Sequence, residues 1–512
     1  MRNVSVQKKR LEAIANQTKK LGLAFLKNKR AMVGIGIILF FTVIALFAPF
    51  LTPYDPTLDR NLAGSGMVLA KPAWFRYLPG GDTLSENLDP VKDPEFSSMD
   101  FSKAWNVSIT PAQFVSTWRT SALGTEGCLA VEFSRDGNHS PQVTFVRISS
   151  DFAYPFGGPP ARFDTDIQLL VEDDDAIEVR PMFFIEDNTH GKRYDWGFGQ
   201  HWDEDNITAT TTQWTTPITK ITSLAEIYDR KYRFNVEEDL ATLMFSEPAN
   251  YTFGLEIAFF DLPTNAGKDA RVSVYVDKLD FKTYGTCFGL LGCEFQGRDI
   301  FSQLVYGTRI SIYIGILAAL VSVGLGLLVG LVSAYLGGVV DEALMRFTDA
   351  LLVLPGLPLI IVLIAVLGTS VSNLIILIGF LGWMGFARVV RSQVLSLKER
   401  PFIEAAKAIG AGKSHIMFKH IVPNVMSLVY VTLATSVPGA IVAEAALSFL
   451  GYYDPSIMSW GRMLYDVQTK GSYEAYWWVL PPGMCIAAIS IAFILLGYAL
   501  DEILNPRLRI RR

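Results

Sequence analysis

The strongest constraint on this chain is a set of apolar runs that are each long enough to cross a lipid bilayer. A helix needs roughly 20 apolar residues to span the hydrocarbon layer, and AMVGIGIILFFTVIALFAPFL (Ala31–Leu51) meets this without a charged residue. A cleaved signal peptide is the alternative for this run, but a long basic region precedes it and no small-residue cleavage pattern comes before Pro49. Five further runs lie at 310–336, 347–367, 374–394, 422–447 and 479–500. The sequence therefore predicts a multi-pass α-helical membrane protein with six spans.

Lysine and arginine predict how the six spans are oriented. These residues are concentrated in 1–30, in 395–421 and in the basic tail 501–512, whereas the interval between the first two spans has an excess of Asp and Glu. The net charge of -5 hides this division. Loops rich in Lys and Arg stay in the cytoplasm, and six spans put all three basic segments on one side. We therefore expect a cell-membrane protein with both termini in the cytoplasm and residues 52–295 outside.

Residues 52–295 form an insertion large enough to be a separate domain. Strand-length segments alternate or run apolar in it: QVTFVRIS, DIQLLVED, IEVRPMFFIED, YTFGLEIAFF and RVSVYVDKLDF. Such segments, rich in β-branched and aromatic residues and separated by turn residues, are typical of strands. We predict an antiparallel β-sandwich, for which a jelly roll is one form. The closing VYVDKLDF resembles the last strand of carbohydrate-binding jelly rolls.

Several residues of the insertion are candidates for modification or for metal binding. Asn-x-Ser/Thr sequons lie at Asn106, Asn138, Asn206 and Asn250, which are candidate N-glycosylation sites in a host that glycosylates. Cys287 and Cys293 flank FGLLG on the oxidising side, where a short-loop disulfide and two free thiols are equal alternatives. The acidic run 172–175 could hold calcium, but a solvated loop is the simpler interpretation. We expect no metal site.

The segment GAGKS (410–414) ends like a phosphate-binding P-loop. A P-loop reads G-x-x-x-x-G-K-[ST] and follows a buried strand, but the first glycine position is Lys407 and the preceding PFIEAAKAI favours a helix. Gly410 and Gly412 are better explained as a break between two short helices. No motif in the chain has catalytic spacing, so we expect no ATPase or other enzyme.

A more specific pattern covers the same region. EAAKAIGAGKSHIMFKHIVPN resembles the EAA loop of ABC importer permeases, and the residues that carry the resemblance are Glu404, Ala405, Ala406, Gly410, Ile416, His420 and Pro423. The resemblance implies that this loop docks on an ATPase subunit and transmits its closure to the spans. Small alanines suit a helix that is seated in a groove of a partner. ATP and Mg would then be bound by partner subunits, with no cofactor in this chain.

Other segments resemble the dipeptide/oligopeptide branch of these permeases. GRDIFSQLVYGTRISIYIG (297–315), WWVLPPG and ALDEILNPRLR follow the pattern of the branch, and Gly297, Arg298 and Asp299 form its motif before the second span. The resemblance implies an ABC type I importer permease fold over 296–500, interrupted by the β-rich insertion. It also implies a heterodimer with a second permease chain, two ATPase subunits and an extracytoplasmic solute-binding protein, and no nucleic acid. The insertion is much larger than the branch usually shows.

Charged and small residues within the spans add further predictions. A charge inside a membrane is costly and points to function, so Glu444 either faces the translocation path or bonds to a neighbouring helix near the outer boundary. Asp349 follows Glu342 and Arg346 at helical spacing, which favours a structural ion-pair row over a place in the path. Gly315, Gly324, Gly326 and Gly330 predict close helix packing in the second span.

Three functions are compatible with the sequence to different degrees. The first is a permease subunit that imports di- and oligopeptides by alternating access. The second is the same kind of importer subunit carrying oligosaccharides. The third, of another class, is a membrane-anchored surface binding module or adhesin, which predicts one or two spans and no EAA loop. The six predicted spans and the EAA pattern both favour an importer.

Overall fold

The computed structural model describes residues 25–63, 69–98, 100–120, 127–173, 177–197 and 240–504. The chain divides into two compact units, Met1–Asp59 with Ile300–Arg512, and Arg60–Asp299. The first unit is helical and the second is mostly β. The insertion thus occupies Arg60–Asp299 in the structure, where the sequence predicts 52–295. The two units agree with the predicted division into a helical part and an inserted all-β region.

The helical unit consists of long apolar helices joined by short turns. Its helices are α1 (Lys29–Leu51), α2 (Ile300–Leu336), α3 (Gly338–Val353), α4 (Gly356–Leu367), α5 (Val371–Lys398), α6 (Pro401–Ala408), α7 (Lys413–Ile416), α8 (Val422–Phe449), α9 (Trp460–Lys470) and α10 (Tyr476–Leu504). Among the described residues, 5 helices are long and apolar enough to cross a membrane, or 6 if the bent pair α3 and α4 is one span. The count of six spans therefore depends on this pair.

Two of the predicted spans differ from the observed helices for physical reasons. The third, predicted over 347–367, is broken between α3 and α4, which meet at 90°. Pro355 lies at this break. It explains the break because proline has no N–H for the helical hydrogen bonds and its ring clashes with the preceding turn. The second, predicted from 310, begins at Ile300. Its first turns contact α9, where Trp460 Nε1 donates to the Leu304 carbonyl at 3.1 Å.

Glycines of α2 let this helix pack backbone to backbone against α5. A Cβ added at Gly326 would lie 2.8 Å from the Trp383 carbonyl oxygen, and one at Gly330 would lie 2.6 Å from that of Ala387. Any side chain at these positions would push the helices apart, so close packing is confirmed for both glycines. It is wrong for Gly324, where an added Cβ would meet nothing within 4 Å.

The β-rich unit is a sandwich of two antiparallel sheets. Its strands are β1 (Asn106–Thr110), β2 (Val115–Thr120), β3 (Cys128–Arg135), β4 (Val143–Tyr154), β5 (Arg162–Asp173), β6 (Ile177–Asp187), β7 (Lys192–Gly197), β8 (Ala249–Asp261) and β9 (Ala270–Tyr284). The strand order is β1-β4-β8-β6-β7 in one sheet and β2-β3-β9-β5 in the other. The five strand segments predicted from the sequence lie in β4, β5, β6, β8 and β9. The predicted antiparallel all-β insertion is therefore confirmed.

Aromatic rings fill the space between the two sheets. Phe281 on β9 is fully buried, and its ring centroid lies 5.3 Å from that of Phe253 and 5.6 Å from that of Phe152. Such aromatic side chains each bury a large apolar area. This core is what holds the insertion together as a unit of its own.

The segments that begin and end the insertion pair with each other. Asn61 N–H donates to the Gln296 carbonyl and Leu62 N–H to that of Gly297, both at 2.9 Å. The first and last segments of the β-rich unit therefore lie side by side.

We predict that Phe281→Ala destabilises the β-rich unit by about 3–5 kcal/mol, because a truncated buried phenylalanine loses its apolar contacts and leaves a cavity. Limited trypsin digestion of the full chain in membranes should then cleave within Arg60–Asp299 at lower protease concentration. Phe145→Ala is the matched control, since this ring on β4 is 42% exposed. Equal protease resistance of the two variants would contradict the assignment of the core.

Candidate functional site

The segment with the EAA pattern forms a short helix that packs on the ends of longer helices. One edge of α6 is buried: Ile403 is 0% and Ala406 is 6% exposed. These side chains belong to an apolar cluster with Val394 of α5 and with Ile416 and Ile421 at the start of the next helical segment. The segment is therefore fixed to the ends of two of the long apolar helices, α5 and α8, and does not hang from them as a loose loop.

The opposite edge of the same segment is exposed and partly apolar. Glu404 and Ala405 face solvent, and Phe402, Ile409 and Phe418 are 44%, 86% and 72% exposed. We call Phe402, Ile409 and Phe418 the coupling surface. Exposed apolar side chains of this size, beside charged ones, are typical of a surface that a partner covers.

Glycine and proline shape the turn between the two helices of this segment. Gly410 has φ +82°, a left-handed conformation that ends α6 and that glycine adopts readily. Gly412 is the N-cap of α7, and Pro423 lies in the first turn of α8, where proline is tolerated. His420 lies in a π-helical turn between α7 and α8. Since the residues before Gly410 are helical, the segment lacks the strand that a P-loop follows.

Ion pairs connect α3 to α5 beside this segment. Asp341 accepts from Arg391 through Nε and Nη2, both at 2.6 Å, and Asp349 pairs with Arg388. The predicted row of Glu342, Arg346 and Asp349 is therefore wrong for Asp349, although Arg346 does pair with Glu342 at 2.9 Å. Sequence spacing pointed to the neighbour on the same helix, whereas the partner lies on another helix.

Lys398 ties the end of α5 to the end of α2. Its Nζ donates to the carbonyl of Ala334 at 2.9 Å and to that of Tyr335 at 3.3 Å. These carbonyls lie in the last turn of α2, where no intrahelical donor is available. A positive charge at this position also suits the negative end of the helix dipole.

Glu444 is buried at the end of α8 and binds hydroxyl groups. It is 1% exposed, and its Oε1 accepts from Ser448 Oγ and from Ser459 Oγ, both at 2.8 Å. Ser459 is the N-cap of α9 and also accepts from the Arg462 N–H at 3.2 Å. Of the two roles predicted for Glu444, these contacts agree with a bond to a neighbouring helix.

A cavity of about 420 Å³ lies between α2, α4, α5 and α8. Its lining consists of small and aliphatic side chains with two hydroxyl groups: Ala318, Ala319, Ser322, Gly356, Leu357, Ile360, Ile378, Leu381, Gly382, Ser436, Gly439, Ala440, Ala443 and Leu447. The lining does not include Glu444 or Asp349, the two charges that the sequence singled out. Sequence reasoning missed Ser322 and Ser436, because a serine within an apolar run gives no signal of its own.

The Gly-Arg-Asp motif closes the β-rich unit directly before α2. Gly297 has φ +73°, and a Cβ there would lie 2.6 Å from Asn61 Cα. Arg298 donates through Nε to Glu294 Oε1 at 2.8 Å, and both side chains are buried. Asp299 forms a bridge with Cys293. In this structure the motif has packing contacts at the base of the unit.

The candidate disulfide between Cys287 and Cys293 is not formed in the structure. Cys287 pairs with Lys71 and Cys293 pairs with Ala70. Successive residues of an extended segment direct their backbone groups to opposite sides, so the segment 70–71 lies between the cysteines. Two strands on either side of a third are roughly 9–10 Å apart, whereas a disulfide needs Cα atoms within about 7 Å.

The remaining candidates of the insertion lie on its surface or outside the described residues. Asn106, Asn138 and Asn250 are exposed, so glycosylation at these sequons stays a prediction. Asn206 and residues 174–175 of the acidic run lie outside the described residues. Among the described residues there is no group of three or more His, Cys, Asp or Glu that could hold a metal ion.

Comparison with known proteins decides the family. Residues 323–510 match the family described as binding-protein-dependent transport system inner membrane component, and residues 19–72 match the N-terminal TM domain of oligopeptide transport permease C. The oligopeptide transport system permease protein OppC of Bacillus subtilis (strain 168) is 39% identical over 219 residues, which are 43% of this chain and 72% of that protein. The chain belongs to the Opp/Dpp-type ABC permease family.

Other relatives have the same extent of similarity. The dipeptide transport system permease protein DppC of Bacillus subtilis (strain 168) is 37% identical over 43% of this chain and 68% of that protein. The OppC permease of Escherichia coli (strain K12) is 40% identical over 42% of this chain and 72% of that protein. This multi-pass membrane permease therefore has the fold and the family that its motifs predict.

A solved carbohydrate-binding module in complex with β-1,4-galactotriose matches 38% of this permease and 97% of its own chain. The identity is 12% and the TM-score is 0.22. At that TM-score the match supports no conclusion.

We predict that Glu444→Ala destabilises the purified permease by about 1–3 kcal/mol, because two buried hydroxyl groups lose their acceptor. Glu444→Gln should have a smaller effect, since its amide oxygen accepts the same bonds. The measurement is thermal unfolding in detergent. Ser459→Ala should cost about 0.5–2 kcal/mol through loss of the N-cap, and the double variant should cost less than the sum. Strict additivity would show that Glu444 and Ser459 act independently.

We also predict that Cys287 and Cys293 react slowly with a maleimide at pH 8 in the folded chain. Burial raises the pKa of the Cys287 thiol to about 11 and raises that of Cys293 as well, so the reactive thiolate is scarce. Labelling of Cys287 should increase only as the pH approaches 11, and both thiols should react after denaturation without a reductant. A requirement for reductant would indicate the disulfide instead.

Proposed function

We propose that this permease is one of two membrane subunits of an ATP-driven importer of di- and oligopeptides. It pairs with a second permease chain, and one of the two ATPase subunits of the complex docks on its coupling surface from the cytoplasm. A solute-binding protein delivers the cargo outside. ATP and Mg are bound by the ATPase subunits, and this chain converts their closure into alternating access.

The coupling surface is the observation that carries this proposal. One edge of α6 is packed into the apolar cluster at the ends of α5 and α8, while the other edge exposes Phe402 and Ile409. A partner that covers the exposed edge can therefore move α6 only together with the long helices beneath it. This is the mechanical property that a transmitting element needs.

The cavity supplies the second part of the mechanism. Its walls include α5 and α8, the same helices whose ends hold α6. A displacement of α6 would therefore change the spacing of two walls of the cavity. Alternating access requires a path that is open first to one side of the membrane and then to the other.

The basic segments at both termini and around α6 favour their place in the cytoplasm. The β-rich unit then lies outside, where it can bind cargo, dock the binding protein or brace the complex. Peptides are the proposed cargo because the relatives are named as oligopeptide and dipeptide permeases. An anchored adhesin accounts for neither the coupling surface nor the number of long apolar helices.

Purification of the full chain with its neighbours from native membranes tests this proposal. We expect mass spectrometry to identify a second permease, ATPase subunits and a bound peptide. Recovery of the same proteins with a bound oligosaccharide would contradict peptides as the cargo but would still support an importer. Recovery of the chain without any ATPase, under conditions that preserve known importers, would contradict the role of the coupling surface.

A paired variant sharpens this test. We predict that Ile409→Lys reduces recovery of the ATPase subunits at least tenfold and leaves the second permease bound, because a charge replaces an apolar contact in the covered interface. Tyr77→Lys is the matched control, since Tyr77 is 87% exposed in the β-rich unit and Ile409 is 86% exposed. Equal loss of ATPase from both variants would point to a general defect in assembly.

A further inference from the structure

Two serines of the cavity have hydroxyl groups that make no hydrogen bond to any residue that the structure describes. Ser322 on α2 is only 8% exposed, and Ser436 on α8 is half-buried. Both line the cavity, and neither makes a hydrogen bond to a described residue. A hydroxyl within a helix commonly bonds to the carbonyl of the preceding turn, as Thr435 Oγ1 does with Val431 at 3.0 Å. The hydroxyl groups of Ser322 and Ser436 make no such bond, so they can bind a molecule in the cavity.

The contact between α2 and α5 holds Ser322 in place. A Cβ added at Gly382 of α5 would lie 2.7 Å from Ser322 Oγ. Gly382 therefore leaves the space that the hydroxyl occupies, on the part of the cavity wall that α2 and α5 form. Ser436 lies on α8, which forms another wall of the cavity. The two hydroxyl groups thus belong to different helices of the path.

The other residues that line the cavity are uncharged and have small or aliphatic side chains. Every other residue that lines the cavity is Gly, Ala, Leu or Ile. Gly439 lies one turn from Ser436 on α8, and an added Cβ there would meet no atom within 4 Å. The width of the cavity at this point is therefore set by the absence of a side chain.

We propose that Ser322 and Ser436 form a charge-neutral subsite for the backbone amide groups of a peptide in transit, and that Gly439 sets the size of side chain that passes. The inference rests on the proposed importer function and assigns the chemistry of its path. A serine hydroxyl both donates and accepts, which matches the N–H and the carbonyl of a peptide bond. The aliphatic walls accept side chains of many shapes and hold no charge that would favour an acidic or a basic peptide.

Uptake by the complete importer in proteoliposomes tests the hydroxyl groups, with tri-alanine as the probe. Ser322→Ala and Ser436→Ala should each raise the KM of uptake roughly two- to tenfold, the range of one neutral hydrogen bond. Ser490→Ala is the matched control, because Ser490 Oγ is also buried without a described partner but lies outside the lining. An unchanged KM in the double variant would overturn the subsite.

Substitution of Gly439 tests the width. Gly439→Leu should abolish uptake of tri-tryptophan and reduce that of tri-alanine less than fivefold, because the larger side chain would narrow the cavity at a position where an added Cβ meets nothing within 4 Å. Gly324→Leu is the control, since its added Cβ also meets nothing within 4 Å and it does not line the cavity. Equal inhibition of both peptides, or equal effects of the two variants, would overturn the role of Gly439.

A gained charge gives a result that a purely structural role would not produce. Ser436→Asp should favour uptake of Ala-Lys-Ala over Ala-Glu-Ala at least fivefold, whereas the unsubstituted importer should transport both within twofold. No change in this ratio would place Ser436 outside the path. Uptake of maltotriose but not of tri-alanine would contradict the peptide backbone as the ligand, although it would still support an importer. Uptake of neither probe would contradict the proposed function itself.

Discussion

The backbone contact between α2 and α5 is the interaction on which the helical unit depends. Apolar surface gives helices little reason to associate in lipid, because lipid tails are as apolar as the side chains, so close packing has to supply the attraction. Gly326 and Gly330 bring α2 within contact of the Trp383 and Ala387 carbonyls. The same pair of helices then supplies two walls of the cavity, and its ends carry the groups that hold α3 and α6.

Side chains of α5 connect this helix to α2, α3 and α6. Arg388 and Arg391 of α5 reach α3, and Lys398 covers the last carbonyls of α2. Val394 of α5 lies in the cluster that receives the buried edge of α6. Each of these side chains is within a few turns of the next along α5. Packing, ion pairs and hydrogen bonds therefore join α6, α3 and α2 through side chains of α5.

The sequence predicted those features that depend on local pattern, and it missed those that depend on distant neighbours. Hydropathy located the long helices, but it predicted one continuous span over 347–367 where the structure has a break at Pro355. Strands β4 to β6, β8 and β9 were predicted because they alternate over many residues, whereas β1 and β2 are short and mix polar with apolar positions. The partner of Asp349 lies on another helix, and the segment 70–71 that separates Cys287 from Cys293 is far away along the chain. No spacing rule contains that information.

The distribution of charge within the helical unit follows one physical rule. The ion pairs of α3 with α5 are at least partly exposed to solvent at the helix ends, and buried Glu444 binds two hydroxyl groups away from the cavity lining. A fixed charge in the cavity would have to be desolvated by every cargo or paired by it. It would bind cargo of opposite sign too tightly to release and would exclude cargo of the same sign. A lining of small aliphatic residues with two hydroxyl groups avoids both outcomes. In the importer proposed above, selection among charged peptides would therefore fall to the proteins that deliver them.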